Sequence, residues 1–132
     1  LRNSVSVVTP NKLASSGSYE HFNTLRDTAK KHGVMYLYET NVGAALPVIS
    51  TLRDLVNSGD KVIRIEAVLS GTLSYIFNTF DGSQPFSQVV KTAKAKGYTE
   101  PDPRDDLGCA DVARKILILA REAGSKLEYN EV

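Results

Sequence analysis

GYTEPDPRDDLGCADVARK, residues 97–115, is the stretch that decides how this chain is interpreted. Five carboxylates fall within twelve of its residues: Glu100, Asp102, Asp105, Asp106 and Asp111. Each of its two prolines disfavours helical backbone at the residue before it, so the front half is predicted to be a stiff, extended, acidic loop. The back half is predicted to open a helix.

On that helix Asp111 and Lys115 lie four residues apart, which places them on one face. An acidic loop beside such a pair suits a small zwitterion, because carboxylates bind its ammonium group and the lysine binds its oxygen. The plainer alternative is a solvated helix face, on which an Asp–Lys pair contributes only about 0.2–0.5 kcal/mol. Spacing alone leaves both interpretations open.

Length and charge narrow the class of protein. The 132 residues carry a formal net charge of +1, and this length fits one domain that buries roughly two-thirds of the surface of its unfolded chain. No apolar run reaches the ~20 residues that span a bilayer. A balanced charge offers no broad basic field for nucleic acid. We therefore expect a soluble protein with neither a nucleic-acid nor a membrane partner.

The single cysteine, Cys109, excludes an internal disulfide and favours a reducing compartment. The first twelve residues lack the pattern of a secretory signal, so we expect a cytoplasmic protein. His21 and His32 have no ligand-spaced partners that would indicate zinc. Both ends look cut, because the strand-like residues 4–9 follow no other element and residues 126–132 begin another extended segment. We therefore expect a piece of a longer polypeptide.

Hydrophobic periodicity predicts an α+β (α/β-like) chain. The predicted strands are Val5–Thr9, Val34–Tyr38 and Lys61–Leu69, the last with Ile63, Ile65, Ala67 and Leu69 facing the core. The predicted helices are Tyr19–His32, one from Pro47 to about Asn57, Leu73–Phe80, Ser87 to about Lys96, and one from Asp105 or Asp106 to Ala123. We expect a mixed β-sheet with helices mainly on one face and an edge or open face that pairs with a second subunit.

Three loops could carry chemistry. Lys12 follows the first strand and its turn, where ligands of α/β proteins lie, although a surface lysine is the plainer interpretation. Glu39 and the carbonyls of the turn after it form a ligand set for a hard cation; the alternative is an ordinary turn with Glu39 paired to a basic side chain. The Ser70-Gly71-Thr72 turn can hold an anion or a carbonyl oxygen, or simply cap a helix.

Taken together, four motifs in this order resemble homoserine dehydrogenase. They are VVTPNK at residues 7–12, ETNVGAALP at residues 39–47, LSGTLSYIFN at residues 69–78, and GYTEPDPRDDL with DVARK at residues 97–115. The match covers nearly the whole chain. ETNVGAALPVI and LILAREAG are most similar to the dehydrogenase half of bifunctional aspartokinase–homoserine dehydrogenases.

The resemblance implies the reversible interconversion of L-homoserine and L-aspartate 4-semialdehyde with NADP or NAD, on the route to threonine and methionine. Lys115 matches the lysine at the reacting oxygen, and Lys12 the second lysine, near the substrate and the nicotinamide; Gly71 would also lie at the cofactor. The implied substrate-binding set is Glu100, Asp106, Asp111, Tyr98 and Thr72. The implied ligands of a sodium or potassium ion are the side chain of Glu39 and the backbone carbonyls of Val42, Ala44 and Leu46.

The implied chemistry agrees with the residue types. The nicotinamide carries the hydride, and the protein supplies orientation and charge. As the aldehyde is reduced, a lysine ammonium stabilises or protonates the oxygen on which negative charge grows. In the reverse direction a lysine accepts a proton, which requires a lowered pKa of the kind that burial gives.

Several features depart from the family pattern. Gly108 and Cys109 follow DDL where Ser or Asn and then Gly are usual, and Ala45 stands where glycine is commoner. No GxGxxG follows a strand, as a dinucleotide site requires. We therefore assign residues 1–38 to the tail of a dinucleotide-binding domain and residues 39–132 to a truncated substrate-binding, catalytic and dimerisation domain. The isolated chain is expected to be inactive.

Two other interpretations of the same stretch stay open. The first is a non-catalytic assembly module, a domain kept for dimerisation with a degenerate pocket, which the Gly108-Cys109 departure favours. The second is a calcium or magnesium loop, although the acidic stretch lacks the spaced ligands and the central glycine of an EF-hand. The dehydrogenase interpretation implies a homodimer or a higher homo-oligomer.

Overall fold

The computed structural model describes all residues, Leu1–Val132. Its helices are α1 (Tyr19–Lys31), α2 (Val48–Asn57), α3 (Gly71–Thr79), α4 (Phe86–Ala95), α5 (Pro103–Leu107) and α6 (Ala110–Glu122). Its strands are β1 (Val7–Val8) and β2 (Tyr36–Leu37), and two short 3-10 turns span Glu39–Asn41 and Tyr129–Glu131. None of the helices is both long and apolar enough to cross a membrane.

β1, α1 and β2 form a βαβ unit. Val7 pairs with Tyr36 and Val8 with Leu37 in a parallel ladder, which requires a crossover such as α1. The α1 helix begins where the sequence predicts, because the Ser18 hydroxyl accepts a hydrogen bond from the His21 N–H. Predicted to extend to His32, the helix ends one residue earlier, and His32 is its C-cap.

The chain divides into two compact units. The first comprises Leu1–Ile65 with Ala113–Val132, and the second comprises Glu66–Val112. The predicted boundary between residues 38 and 39 separates two functions and not two compact units, so it stays a prediction.

Aromatic and aliphatic side chains form the core of the first unit. They are Phe22, Ala29, Tyr36, Tyr38, Val42, Ile49, Leu117, Ile118 and Leu119. In the second unit a core of Ile76 from α3 with Val89 and Ala93 from α4 is flanked by partly buried Leu107. The structure buries Phe22 and Ala29 of α1 and Val89 and Ala93 of α4.

Two charged residues at the end of α6 are buried as well. Arg121 is 2% and Glu122 4% exposed. The Glu122 carboxylate accepts hydrogen bonds from the Tyr38 hydroxyl and from Arg53 at 3.2 Å, and the Arg53 guanidinium lies over the Tyr38 ring. Buried charges are costly unless they are paired and hydrogen-bonded, and this carboxylate is both.

The guanidinium of Arg121 binds a different set of groups. It donates to the Ser15 carbonyl at 3.1 Å, to the Leu127 carbonyl at 2.9 Å and to the Glu128 carboxylate at 3.4 Å. It also lies over the rings of Tyr19 and Phe22. One side chain of α6 therefore holds the loop after β1, the start of α1 and the C-terminal segment of the chain.

The predicted strand Lys61–Leu69 is wrong. Residues 60–70 form no regular element, and Ile63 and Val68 are 97% and 79% exposed. A strand needs a hydrogen-bonding partner, and β1 and β2 pair only with each other. The sheet therefore has two parallel strands, and the predicted mixed sheet with helices mainly on one face is not confirmed.

The single helix predicted from Asp105 or Asp106 to Ala123 is also wrong, because α5 and α6 are separated by Gly108 and Cys109. Asp102, extended as its place before a proline predicts, caps α5 by accepting from the Arg104 N–H at 3.0 Å. Cys109 adopts the left-handed conformation with φ of 56°. Residues with a Cβ are strained there, so the chain turns between the two helices at a position that suits glycine.

We predict that Cys109→Gly stabilises the chain by about 1 kcal/mol, since removing the Cβ relieves the cost of the left-handed backbone. The free energy of unfolding in urea measures this change. Gly108→Ala is the matched control: Gly108 has an ordinary φ of −69°, and an added Cβ would lie 3.1 Å from the Arg104 carbonyl oxygen. It should destabilise the chain. A loss of stability in Cys109→Gly would contradict the assignment of strain to Cys109.

The second prediction concerns alkaline pH. Burial, and after it the Glu122 carboxylate, raises the pKa of the Tyr38 phenol above its ordinary value. The unfolded chain releases this proton near pH 10 while the folded chain keeps it, so the free energy of unfolding falls as the pH rises above about 10.

Tyr38→Phe should flatten this decline in urea titrations between about pH 9 and 11, where the phenol of the unfolded chain ionises. The control is Tyr98→Phe, which alters a tyrosine that is 51% exposed and should leave the decline unchanged. An equally steep decline in Tyr38→Phe would show that Tyr38 is not its source.

Candidate functional site

Both predicted catalytic lysines belong to the first compact unit. Lys12 is half-buried in the loop of residues 11–16 after β1, and Lys115 is half-buried on α6. The backbone N–H and the hydroxyl of Ser16 both donate to the Lys12 carbonyl, each at 2.8 Å. The Asn11 side chain accepts from the Leu13 N–H at 2.8 Å. The backbone of Lys12 is therefore fixed although its loop has no regular secondary structure.

Ser15 and Ser16 attach this loop to its surroundings and are 0% and 2% exposed. The Ser15 and Tyr36 hydroxyls are 3.0 Å apart and share a hydrogen bond. The Arg114 guanidinium of α6 donates to the Ser16 hydroxyl at 3.1 Å. Sequence reasoning missed both serines, because a Ser-Ser pair carries no periodicity that indicates burial.

Backbone N–H groups bind the Glu39 carboxylate. One interpretation of the sequence instead paired Glu39 with a basic side chain. Its two carboxylate oxygens accept from the Ile49 and Ser50 N–H groups, each at 2.8 Å. These amides lie in the first turn of α2, where a negative charge also interacts favourably with the helix dipole. Glu39 lines a cavity of about 250 Å³.

The turn after Glu39 carries the predicted carbonyl ligands. Gly43 has φ of 82°, and a Cβ there would lie 2.6 Å from Val48 Cγ2, so glycine is required. Ala44 is left-handed with φ of 52°. The Leu46 carbonyl accepts from the Val48 N–H at 2.9 Å, whereas the carbonyls of Val42 and Ala44 accept no backbone hydrogen bond. Two of the three predicted carbonyl ligands are thus not used by the backbone hydrogen bonds of the turn.

In the second unit the acidic loop is folded back on itself. Asp106 accepts from the Glu100 N–H at 2.8 Å, which brings these two predicted substrate-binding residues together. Asp102 pairs with Arg104 at 2.6 Å, and hydrogen bonds from Arg104 lower the pKa of Asp102 to about 2. The side chain of Glu100 is exposed, as is Asp111 in the first turn of α6. The Asp102 carboxylate therefore stays ionised at neutral pH.

An aromatic cavity of about 450 Å³ lies beside this loop in the same unit, lined by Gly71, Thr72, Tyr75 and Tyr98. Thr72 donates to the Tyr98 carbonyl at 2.5 Å, and the rings of Tyr75 and Tyr98 meet edge to face at 4.7 Å. The cavity thus brings together three of the predicted site residues, Gly71, Thr72 and Tyr98.

Sequence reasoning missed Tyr75, which lines this cavity, and Lys96, which contacts the Tyr75 side chain. The Lys96 ammonium lies 5.2 Å from the Tyr75 ring centroid, and its hydrogen bond to Tyr75 raises the pKa of Lys96. Tyr75 could have been predicted from the sequence as a neighbour of Gly71, since it lies one helical turn after Gly71 in the LSGTLSYIFN motif. The capping interpretation of that motif holds for Ser70, whose hydroxyl accepts from the Leu73 N–H.

A further cavity, of about 620 Å³, is lined by residues of α1, by residues 34–38 and by Arg53, and by none of the predicted site residues. No group of three or more His, Cys, Asp or Glu side chains is arranged to hold a metal ion. Carboxylate clusters of the kind that hold divalent cations are therefore absent.

Comparison with known proteins gives the family. The family model for homoserine dehydrogenase matches residues 47–132. The chain is 57% identical over its whole length to the chloroplastic bifunctional aspartokinase/homoserine dehydrogenase 2 of Arabidopsis thaliana, of which it covers 14%. It is 48% identical over 97% of its length to the homoserine dehydrogenase of Schizosaccharomyces pombe, of which it covers 35%.

A solved structure agrees in fold. The crystal structure of a Candida auris protein of unknown function superimposes with a TM-score of 0.92 at 46% identity, covering 98% of this chain and 38% of that one. The chain thus spans from about a seventh to about two-fifths of the proteins it is compared with here. The resemblance drawn from the four motifs is confirmed, and the chain belongs to the homoserine dehydrogenase family.

Proposed function

We propose that this chain supplies the substrate-binding and catalytic part of an enzyme that interconverts L-homoserine and L-aspartate 4-semialdehyde with NADP or NAD. Beyond family membership, the observation that carries the proposal is the fixed setting of Lys12 and Lys115. Lys12 is half-buried in a loop whose backbone is held by hydrogen bonds from Ser16, and Lys115 is half-buried on α6.

In this proposal Lys115 acts at the reacting oxygen. Its ammonium group stabilises the negative charge that develops on the aldehyde oxygen during reduction and gives that oxygen a proton. In the direction of oxidation it accepts the proton of the homoserine hydroxyl. Lys12 supplies a second positive charge near the same oxygen and near the nicotinamide.

Carboxylates of the acidic loop bind the amino group of the substrate. Glu100 is exposed and Asp106 is half-buried, and both are held by the hydrogen bond that closes the loop. Asp111 adds a third carboxylate one helical turn before Lys115 on α6. The wall of the substrate pocket consists of Thr72 and Tyr98.

The cofactor would supply hydride transfer to and from its nicotinamide ring. Gly71 supports that end of the proposal, since it lines the aromatic cavity and a Cβ there would meet no atom outside its own helical turn and chain neighbours within 4 Å. The residues present do not fit the phosphates, since no glycine-rich phosphate loop follows a strand in this chain. The isolated chain is therefore proposed to bind NADP poorly and to show no turnover.

A monovalent cation would fit the turn after Glu39. The donor set comprises one carboxylate and neutral carbonyls from Val42, Ala44 and Leu46, which suits Na⁺ or K⁺ better than a divalent ion. Each Glu39 oxygen already accepts one N–H, and a carboxylate oxygen can accept a further ligand.

The cation proposal predicts a higher melting temperature in NaCl or KCl than in choline chloride at equal concentration, by about 4 °C for about 1 kcal/mol of binding linkage. Glu39→Gln should abolish this difference. Glu20→Gln, a change on an exposed part of α1, controls for general charge effects. Equal melting temperatures of the unsubstituted chain in all three salts would remove the cation from the proposal.

The activity is tested in a hybrid enzyme in which these 132 residues replace the matching segment of the Schizosaccharomyces pombe homoserine dehydrogenase. We predict homoserine-dependent reduction of NADP or NAD by the hybrid. Lys115→Ala should lower kcat by about 10²-fold or more, the scale of a lost general acid–base group. The control Lys126→Ala removes an exposed lysine and should keep kcat.

Turnover that survives Lys115→Ala would move the proton-transfer role to Lys12. A folded, cofactor-binding hybrid without homoserine turnover would instead favour the assembly module, whose one supporting feature is the Gly108-Cys109 departure. Measuring L-homoserine binding to the same hybrid distinguishes a functional pocket from the assembly module. Glu100→Gln should weaken this binding only if the pocket is functional. The homodimer, the cytoplasmic location and the role in threonine and methionine synthesis stay predictions.

A further inference from the structure

We infer that Arg114 is a positioning residue that fixes the loop carrying Lys12 against the helix carrying Lys115. Its kinetic consequence rests on the proposed function, whereas its structural basis does not. Arg114 is the residue before Lys115 on α6, and it bonds to a serine four positions after Lys12.

The contacts form a directed chain of hydrogen bonds. Arg114 Nη1 lies 3.1 Å from Ser16 Oγ, and Ser16 Oγ lies 2.8 Å from the Lys12 carbonyl oxygen. A guanidinium only donates hydrogen bonds, so the serine oxygen accepts from Arg114 and its single proton is directed to Lys12. Ser16 is 2% exposed, which leaves little room for water to replace either contact.

Arg114 is held from a second side. Its guanidinium lies 5.1 Å over the ring of Tyr129, a cation–π contact that orients the guanidinium. Successive helical residues point about 100° apart, so Arg114 binds the loop without occupying the space of the Lys115 side chain.

A second arginine shows that this face of α6 is built to hold the loop. Arg121 follows Arg114 by seven residues, two helical turns, and lies on the same face. It donates to the carbonyl of Ser15, the neighbour of Ser16. Arg121 also binds the C-terminal segment and is fully buried, so its loss would damage the fold. Arg114 is half-buried, and its role can be tested in a folded protein.

Catalysis is sensitive to this kind of link. A displacement of a reacting group by about 1 Å lowers the rate by about 10²-fold. An ordered Lys12 loop is therefore not enough, because its position relative to Lys115 must also be fixed. The Arg114–Ser16–Lys12 chain sets it directly.

The test compares Arg114→Met, Ser16→Ala and the double variant in the hybrid enzyme. Each single change should lower kcat about tenfold, while the KM for homoserine changes less than about twofold, because neither side chain binds substrate. The double variant should be no worse than the poorer single variant, since both changes break the same chain. Arg114→Lys, which keeps a donor and a positive charge, should recover part of kcat.

A second measurement is independent of turnover. The rate at which an amine-reactive reagent labels Lys12, followed by mass spectrometry relative to Lys126, should rise about twofold or more in Arg114→Met and in Ser16→Ala as the loop loosens. Arg53→Met is the matched control: it removes a partly buried arginine that binds Glu122 and does not contact the loop. It should lower the melting temperature and leave Lys12 labelling unchanged.

Additive effects of the two changes on kcat, or Lys12 labelling that does not change in either variant, would overturn the inference. If the hybrid shows no homoserine turnover, the labelling experiment still decides whether Arg114 positions Lys12, so failure of the proposed function is told apart from failure of this inference.

Discussion

The burial of the Arg121 guanidinium is the constraint on which the first compact unit depends. A buried arginine must find an acceptor for each of its donors, and here the acceptors are backbone carbonyls of Ser15 and Leu127 and the carboxylate of Glu128. Those acceptors belong to segments more than a hundred residues apart in the chain. The carboxylate of Glu128 in turn accepts from the Tyr19 N–H at 3.0 Å, so the start of α1 is fixed to the same point.

Glu122 extends this constraint to the other side of the helix. Adjacent residues of opposite charge are both buried, and each is satisfied by its own partners, Glu122 by Tyr38 and Arg53. The end of α6 is therefore bonded to the loop that carries Lys12 and to the segment that leads from β2 into the Glu39 turn. Because Lys115 lies on the same helix, the positions of both lysine-bearing segments follow from how α6 is anchored.

Periodicity and capping predicted the elements whose stability is local. The α1 helix forms nearly at its predicted bounds, with the Ser18 cap and the buried Phe22 and Ala29 all within the segment itself, and the four motifs indicate the family. Pairing and charge burial could not be found in this way. Residues 61–69 alternate like a strand, but alternation does not supply the missing partner. The burial of Arg121 and Glu122 could not be predicted, because residues of these types are mostly exposed unless they are paired, and here the partners are distant in sequence.

The Gly108-Cys109 departure bears on how far the site differs from its relatives. The strain of a left-handed Cys109 is confined to the turn between α5 and α6. The turn still ends α5 with a hydrogen bond from the Cys109 N–H to the Asp106 carbonyl at 3.1 Å, and α6 begins at the next residue. The Asp106 carboxylate remains bonded to Glu100. A side chain on this left-handed backbone therefore costs stability in the turn, while the hydrogen bond between Asp106 and Glu100 and the helix that carries Lys115 still form.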